Sequence, residues 1–224
     1  MDNDSVFIPG NVIFNSVIQI PKYIAFDIGN VLCHVDLTEF QDHLVDIGIF
    51  ESSEKALYFA ASIQASQDLG MCDIKQEFGR YFSKLSEKQL EGIKDSWLNT
   101  IKPSEEMFEL LHELYSRGWS IALLSNIGID HAKKVRQEYP ILNDCYQHFS
   151  FEVGARKPTN LYYQSFILKN PHWLYSLTGN FFFDDRKENI DAAKGYFNSV
   201  LFDLNSFSND QEAADFVREI IRKS

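Results

Sequence analysis

Cysteine is scarce in this sequence: 3 in 224 residues, Cys33, Cys72 and Cys145, far apart and without a Cys-x-x-Cys pair. That pattern gives neither a disulfide framework nor a cysteine zinc site. The 6 histidines are scattered as well, with none at the i, i+4 spacing of a helical zinc motif. Any metal must then be held by oxygen, which points towards Mg²⁺. Positive charge is in deficit, with 21 Lys and Arg against 32 Asp and Glu and a net charge of −11. A surface of that sign repels nucleic acid, and the densest basic run, Lys133-Lys134-Val135-Arg136, reads as the solvated face of a helix. No apolar run approaches a membrane span, and Met1-Asp2-Asn3-Asp4 lacks the basic start of a secretory signal. The expectation is a soluble, cytoplasmic protein without nucleic-acid or membrane partners, and no internal repeat or low-complexity segment is visible.

What the chain does have is core-forming material. Hydrophobic residues make up 45%, with Phe 19 and Tyr 10, enough for one core domain plus a modest insert. The organising stretch is Tyr23-Ile24-Ala25-Phe26-Asp27-Ile28-Gly29-Asn30-Val31. Its short apolar run reads as a buried strand that delivers a carboxylate to a Gly/Asn turn. Taken alone, Asp27 fits a turn aspartate bonding its own backbone as well as it fits a nucleophile or metal ligand.

The pattern before it, over 5–20, predicts a hairpin or edge strands around Pro9-Gly10-Asn11. After it, four helices are expected with no strand between: one from Asp36-Leu37-Thr38-Glu39 to Gly48, one from Ser52 to about Gln67, one from Asp73 to about Leu85, and one from Ser86 to about Asn99. Pro103 is expected to open a fifth helix in its first turn, running to Gly118. From there strands and helices alternate: strand Trp119–Leu124, helix 129–138, strand His148–Val153, helix Thr159–Lys169, strand Asn180–Phe183, helix Lys187–Lys194, strand Ser199–Phe202 and a last helix near 209–222. Alternation of this kind predicts an α/β fold with a doubly wound parallel, Rossmann-like sheet. The expected division is an N-terminal β extension over 1–21, a core over 22–36 and 101–224, and an inserted helical cap over 37–100.

Three predicted strand ends carry polar groups on one rim: Asp27, Ser125 with Asn126, and Asp184 with Asp185. The loop Gly154-Ala155-Arg156-Lys157-Pro158 can bring Lys157 to the same crevice, since ligands of open α/β sheets bind at the carboxyl ends of the strands. The set matches the needs of phosphate-ester chemistry. A metal and a cation neutralise the phosphoryl oxygens, a hydroxyl and amides bind them, and a carboxylate attacks in line.

In this respect the sequence resembles the haloacid dehalogenase-like hydrolases from about Lys22 to Ser224. Phe-Asp-Ile-Gly-Asn-Val at 26–31 looks like the first motif of that superfamily, Leu-Leu-Ser-Asn at 123–126 the second, Arg-Lys-Pro at 156–158 the third and Phe-Phe-Asp-Asp-Arg-Lys-Glu-Asn at 182–189 the fourth. The helical insert matches its small first-position cap. The resemblance implies that Asp27 is the nucleophile, forming an aspartyl-phosphate, and that Ser125 and Asn126 bind the phosphoryl group. It implies that Lys157 neutralises Asp27 and phosphate, and that Mg²⁺ is held by Asp27, the Gly29 carbonyl and Asp185. Asp184 would be a ligand through water or would orient Lys157.

Most phosphatases of the superfamily carry a second aspartate two residues after the nucleophile, as acid and base; here that position is Gly29. General acid–base help is worth about 10²–10⁴-fold, so a slow enzyme, a good leaving group or a substitute acid is expected. Asp36, with His34 second, is the candidate substitute by nearness in sequence. The first motif is also similar to that of sugar-phosphate phosphatases such as bacterial α-D-glucose-1-phosphatase. The leading expectation is a Mg²⁺-dependent phosphatase for a small phosphorylated metabolite. A dehalogenase, and a phosphate- or protein-binding relic of the fold, are the other two readings.

Overall fold

The computed structural model describes residues 22–175 and 179–223, so the hairpin or edge strands expected over 5–20 lie outside the described residues. Strand β1 (Lys22–Phe26) is followed by β2 (Cys33–Val35), and then by α1 (Thr38–Asp46), α2 (Ser53–Asp68), α3 (Ile74–Tyr81) and α4 (Glu87–Leu98). β3 (Ile101–Pro103) returns antiparallel to β2, so a short ribbon ties together the two ends of the helical insert. The remaining chain runs α5 (Glu105–Ser116), β4 (Trp119–Ser125), α6 (Ile129–Glu138), β5 (Tyr146–Phe149), α7 (Ser150–Val153), α8 (Asn160–Lys169), β6 (Asn180–Asp184), α9 (Lys187–Ala193), β7 (Asn198–Leu201) and α10 (Asp210–Arg222).

The sheet is parallel throughout, in the order β5-β4-β1-β6-β7. Successive side chains of a strand face opposite sides. Accordingly Ile24, Phe26, Ile121, Leu123, Phe181 and Phe183 pack with α5, α6 and α10, whereas Tyr23, Ala25, Ala122, Leu124 and Phe182 pack with α8 and α9. Both faces are covered, as a parallel sheet requires. The strand order reverses at β1, so the crevice at the carboxyl ends of β4, β1 and β6 is the topological switch point, where ligands bind in open α/β sheets.

The insert has an apolar core of its own, built on Phe40, Leu44, Ile63, Phe78, Ile93 and Trp97. Three of its four helices start where capping residues stand. The side chains of Ser52, Asp73 and Ser86 accept the amides of Lys55, Gln76 and Gln89, and Asp73 and Ser86 complete capping boxes with Gln76 and Gln89. α3 stops at Tyr81 instead of continuing to about Leu85, because Phe82 leaves helical geometry and its ring packs against Phe50 and Phe59.

Two further expectations are corrected. Pro103 is the last residue of β3 and not the first turn of a helix. Ser104 caps α5 instead, accepting Met107 N–H at 3.3 Å. The strand expected over His148–Val153 ends at Phe149, and Ser150–Val153 form the short α7, closed by Gly154 in left-handed geometry at φ 66°. The reason is Ser150, whose buried hydroxyl accepts the Ile127 amide at 3.0 Å and so turns the chain under the loop after β4.

The insert is fastened to the sheet domain through α6 and the loop before α8. Asp130 accepts Ile74 N–H at 2.8 Å, Lys134 donates to Leu98 O at 2.8 Å, and His131 Nε2 donates to Trp97 O at 2.8 Å. Arg156 Nη2 meets Asp68 Oδ2 at 2.6 Å. The three cysteines are buried free thiols. No helix among the described residues is long and apolar enough to cross a membrane.

Candidate active site

The ends of β1, β4 and β6 meet at one point. Asp27 follows β1 directly; its Oδ1 accepts Ile28 N–H at 2.7 Å, and its Oδ2 lies 2.9 Å from Lys157 Nζ. The turn-aspartate bond and the candidate nucleophile are therefore the same carboxylate, with one oxygen given to each. Ser125, buried at the end of β4, hydrogen-bonds the Asp27 carboxylate. Burial pushes Asp27 up to about 7, against the Lys157 ammonium, which pulls it down, and with neighbouring Asp184, which adds to the rise.

Lys157 is the hub. Its side chain is fully buried, and Nζ donates to Asp184 Oδ2 at 2.6 Å while pairing with Asp27. Burial alone would drive its proton off, but Asp27 and then Asp184 reverse this and hold the lysine above its ordinary value. Asp184 has no idle capacity. It also accepts the Arg186 amide at 2.9 Å and the Asn189 carboxamide at 2.9 and 3.1 Å. Of the two duties open to it, this geometry is that of an orienter of Lys157.

Asn126 lines the cavity, and its side chain is engaged with Lys157. Its carboxamide accepts Lys157 N–H at 2.8 Å and donates to Lys157 O at 2.9 Å, so it clamps the backbone of the lysine, and of the pair it is Ser125 whose side chain stands at the Asp27 carboxylate. Asp185 lies across from Asp27, half-buried, and takes a hydrogen bond from Asn30 Nδ2 at 3.0 Å. Burial raises its pKa, which the Asn30 donor opposes.

Asp27, Asp184 and Asp185 each present a carboxylate oxygen within 4.8 Å of the others. A donor set made only of carboxylate oxygens suits a hard, small cation and fits Mg²⁺. Gly29 lines the same cavity, and a Cβ there would meet Val35 Cγ2 at 3.2 Å, a tight approach to the side chain of the exposed Val35.

Asp36 is not brought to this cluster. Its carboxylate accepts Thr38 N–H at 3.0 Å and faces Lys102 at 3.4 Å on the surface, and the Thr38 bond keeps its pKa below the usual range. It acts as a helix-start residue held in its charged form, which corrects the expectation of a substitute acid. The group that sequence reasoning missed is Asp68. It ends α2, faces the cavity that holds Asp27, and is pushed by burial up to about 6 despite Arg156, Lys157 and Arg186. No local signal marks it; only the docking of the insert brings it in.

The cavity above the carboxylates has a volume of about 470 Å³. The insert lines it with Leu57, Ala60, Ala61, Gln64, Gln67 and Trp97. Gln67 and His131, both buried, belong to this wall, and burial lowers His131 to about 4, so it stays neutral.

Comparison with solved structures places this architecture. The chain aligns with a HAD family enzyme of Bacteroides thetaiotaomicron solved in complex with magnesium and inorganic phosphate, at 22% identity and a TM-score of 0.67, over 81% of this chain and 94% of that one. A protein of Porphyromonas gingivalis described as a predicted HAD-like family hydrolase aligns at 19% identity and a TM-score of 0.72, over 92% and 100%. An L-2-haloacid dehalogenase aligns at 15% and 0.55, over 80% and 82%. No family sequence model matches the chain, and no curated protein matches it in sequence. The chain has the fold of the haloacid dehalogenase-like hydrolases, core and helical cap together.

Proposed function

We propose that this protein is a Mg²⁺-dependent phosphatase that acts on a small phosphorylated metabolite, a sugar phosphate being the class its first motif resembles, through an aspartyl-phosphate on Asp27. The observation that carries the reading is Lys157, which bridges Asp27 at 2.9 Å and Asp184 at 2.6 Å below a cavity lined in part by the cap. A buried ammonium beside a buried carboxylate suits an anionic phosphoryl group, and the cluster of Asp27, Asp184 and Asp185 suits the divalent cation that phosphoryl transfer uses and displacement of halide from carbon does not. Asp27, Asp185 and the Gly29 carbonyl would hold Mg²⁺, which when bound would neutralise charge on the phosphoryl oxygens.

In this mechanism an Asp27 oxygen attacks phosphorus as the ester P–O bond breaks, while Lys157 and Ser125 hold the phosphoryl oxygens. Asp68 donates its proton to the departing alkoxide and then removes one from the water that attacks the aspartyl-phosphate. Phosphate leaves and Asp27 is restored. A carboxyl lifted to about 6 by burial is suited to give and take a proton near neutrality.

Two measurements test this. Purified protein should hydrolyse an aryl phosphate with Mg²⁺ and lose that turnover with chelator; turnover of 2-haloacids that survives chelator, with none on any phosphate, would favour the dehalogenase instead. Asp68→Asn should lower kcat on an alkyl phosphate by about 10²-fold and on an aryl phosphate by less than about threefold, because only the poor leaving group needs the acid. The alkyl rate should decline as pH rises above about 6, where Asp68 loses its proton, and this limb should vanish in Asp68→Asn. Equal losses on both esters would remove Asp68 from the acid role.

A further inference from the structure

His34, in β2, is joined to the metal-side carboxylate by a chain of hydrogen bonds that all run in one direction. His34 Nδ1 lies 2.9 Å from Asn205 Oδ1; Asn205 Nδ2 donates to Asn30 Oδ1 at 3.1 Å; Asn30 Nδ2 donates to Asp185 Oδ2 at 3.0 Å. The amide orientations are consistent at every link when His34 donates from Nδ1. Asp210 enforces that state: its carboxylate faces Nε2 at 3.0 and 3.2 Å, so the ring carries protons on both nitrogens. Burial works against the imidazolium, but Asn205, Asp210 and Asp203 outweigh it and raise the pKa. Lys102, opposite His34 in the ribbon, is turned to Asp36 and Glu39.

The links are themselves fixed in place. Asn30 sits in left-handed geometry at φ 53°, which asparagine tolerates better than most residues, and its carbonyl accepts Leu204 N–H at 2.7 Å. Its Oδ1 also takes Val35 N–H at 3.2 Å. Asp203 holds Asn205 through the backbone at 3.0 Å and the side chain at 3.2 Å. Three segments, the turn after β1, the strand β2 and the turn before α10, thus converge on one oxygen of Asp185.

We propose that His34 and Asn205 are positioning residues for the Mg²⁺ site, acting through Asn30 to hold the Asp185 carboxylate in its ligating orientation. The proposal rests on the magnesium reading above. Partners of this kind fix ligand orientation, and losing one directly bonded to a ligand weakens metal affinity by about 10–100-fold. His34 stands two links further back, so a loss of about fivefold is expected. Cutting a chain at two links does no more than cutting it at one, and this separates a relay from independent packing effects.

The test is Mg²⁺ affinity by isothermal titration calorimetry on the full chain, for the parent, His34→Ala, Asn205→Ala and the double variant, with thermal melts of each in chelator. Both single variants should bind Mg²⁺ about fivefold more weakly, the double variant should match either single, and kcat at saturating Mg²⁺ should stay near that of the parent. Should His34→Ala fold poorly, Asn205→Ala cuts the same chain and carries the same expectation. Affinity within twofold of the parent in well-folded singles, or losses that multiply in the double variant, would overturn the relay. A parent that binds no Mg²⁺ would overturn the metal reading and the relay with it.

Discussion

Asp27→Asn is expected to remove turnover, by at least about 10⁴-fold, the scale seen when a covalent nucleophile is lost. The substitution is close to isosteric, and the carboxamide still reaches Ile28 N–H, so the strand end should keep its shape. What disappears is the attacking oxygen's charge. The parent, quenched during turnover, should carry a hydroxylamine-labile acyl phosphate that the variant lacks. Stability should move the opposite way. Asp27 has its folded pKa raised from 3.8 to about 7 by burial, so in metal-free protein the folded state holds a proton that the unfolded chain has already lost. Stability contributed by that proton is complete below about pH 4 and is lost as pH rises to 7. Asparagine has no such dependence. In chelator the variant should therefore melt above the parent at pH 8 and converge with it near pH 4. Turnover within tenfold of the parent would end the nucleophile assignment, and an unchanged melting difference across that range would end the account of its burial.

Much of this site was legible because its signals are local. A short apolar run that ends in a polar residue marks both a buried strand and its carboxyl end. Asp27, Ser125 and Asp184 are therefore found at the ends of β1, β4 and β6, where the pattern puts them. Helix starts are local for the same reason: a capping serine or aspartate and its third neighbour suffice, as at Ser52, Asp73 and Ser86. What was not legible depends on residues far apart in the chain. That the side chain of Asn126 is engaged by Lys157, 31 residues on, which takes both ends of its carboxamide, is one such case. Ser150 resembles one more residue of a strand until its hydroxyl meets Ile127. Asp36 is near Asp27 in sequence and turned to the surface, whereas Asp68 is distant and faces the cavity. His34 reaches Asn205 across 171 residues, which no periodicity encodes. In each case the motif marks where a residue stands on the rim, and the tertiary partners decide which atom remains free to do chemistry.

Lys157→Ala should damage activity and stability together. The ammonium lies between Asp27 and Asp184 with no exposure of its side chain, and both carboxylates depend on it. Without it, the rate should fall by about 10²–10³-fold, as when a preorganised electrostatic partner is removed. Two buried acids would then face each other unneutralised, and breaking a buried pair in this way costs about 3–5 kcal/mol. The sign with pH follows from the same groups. Lys157 has its pKa raised in the folded protein, so its contribution is present below the unfolded value and lost only above it, outside the neutral range. Asp27, already raised by burial and now without its counter-charge, takes up a proton as pH falls. The deficit of Lys157→Ala should therefore be widest in mildly alkaline buffer and narrow towards pH 5, as read by urea unfolding in chelator. Asn126→Ala, which frees the lysine backbone but keeps its charge, should retain most of the stability and lose activity through misplacement of Nζ. If Lys157→Ala unfolds with the parent's midpoint at pH 8, the lysine is not the counter-charge of a buried acid pair. The electrostatic basis of the phosphatase reading would then have to be sought elsewhere on the rim.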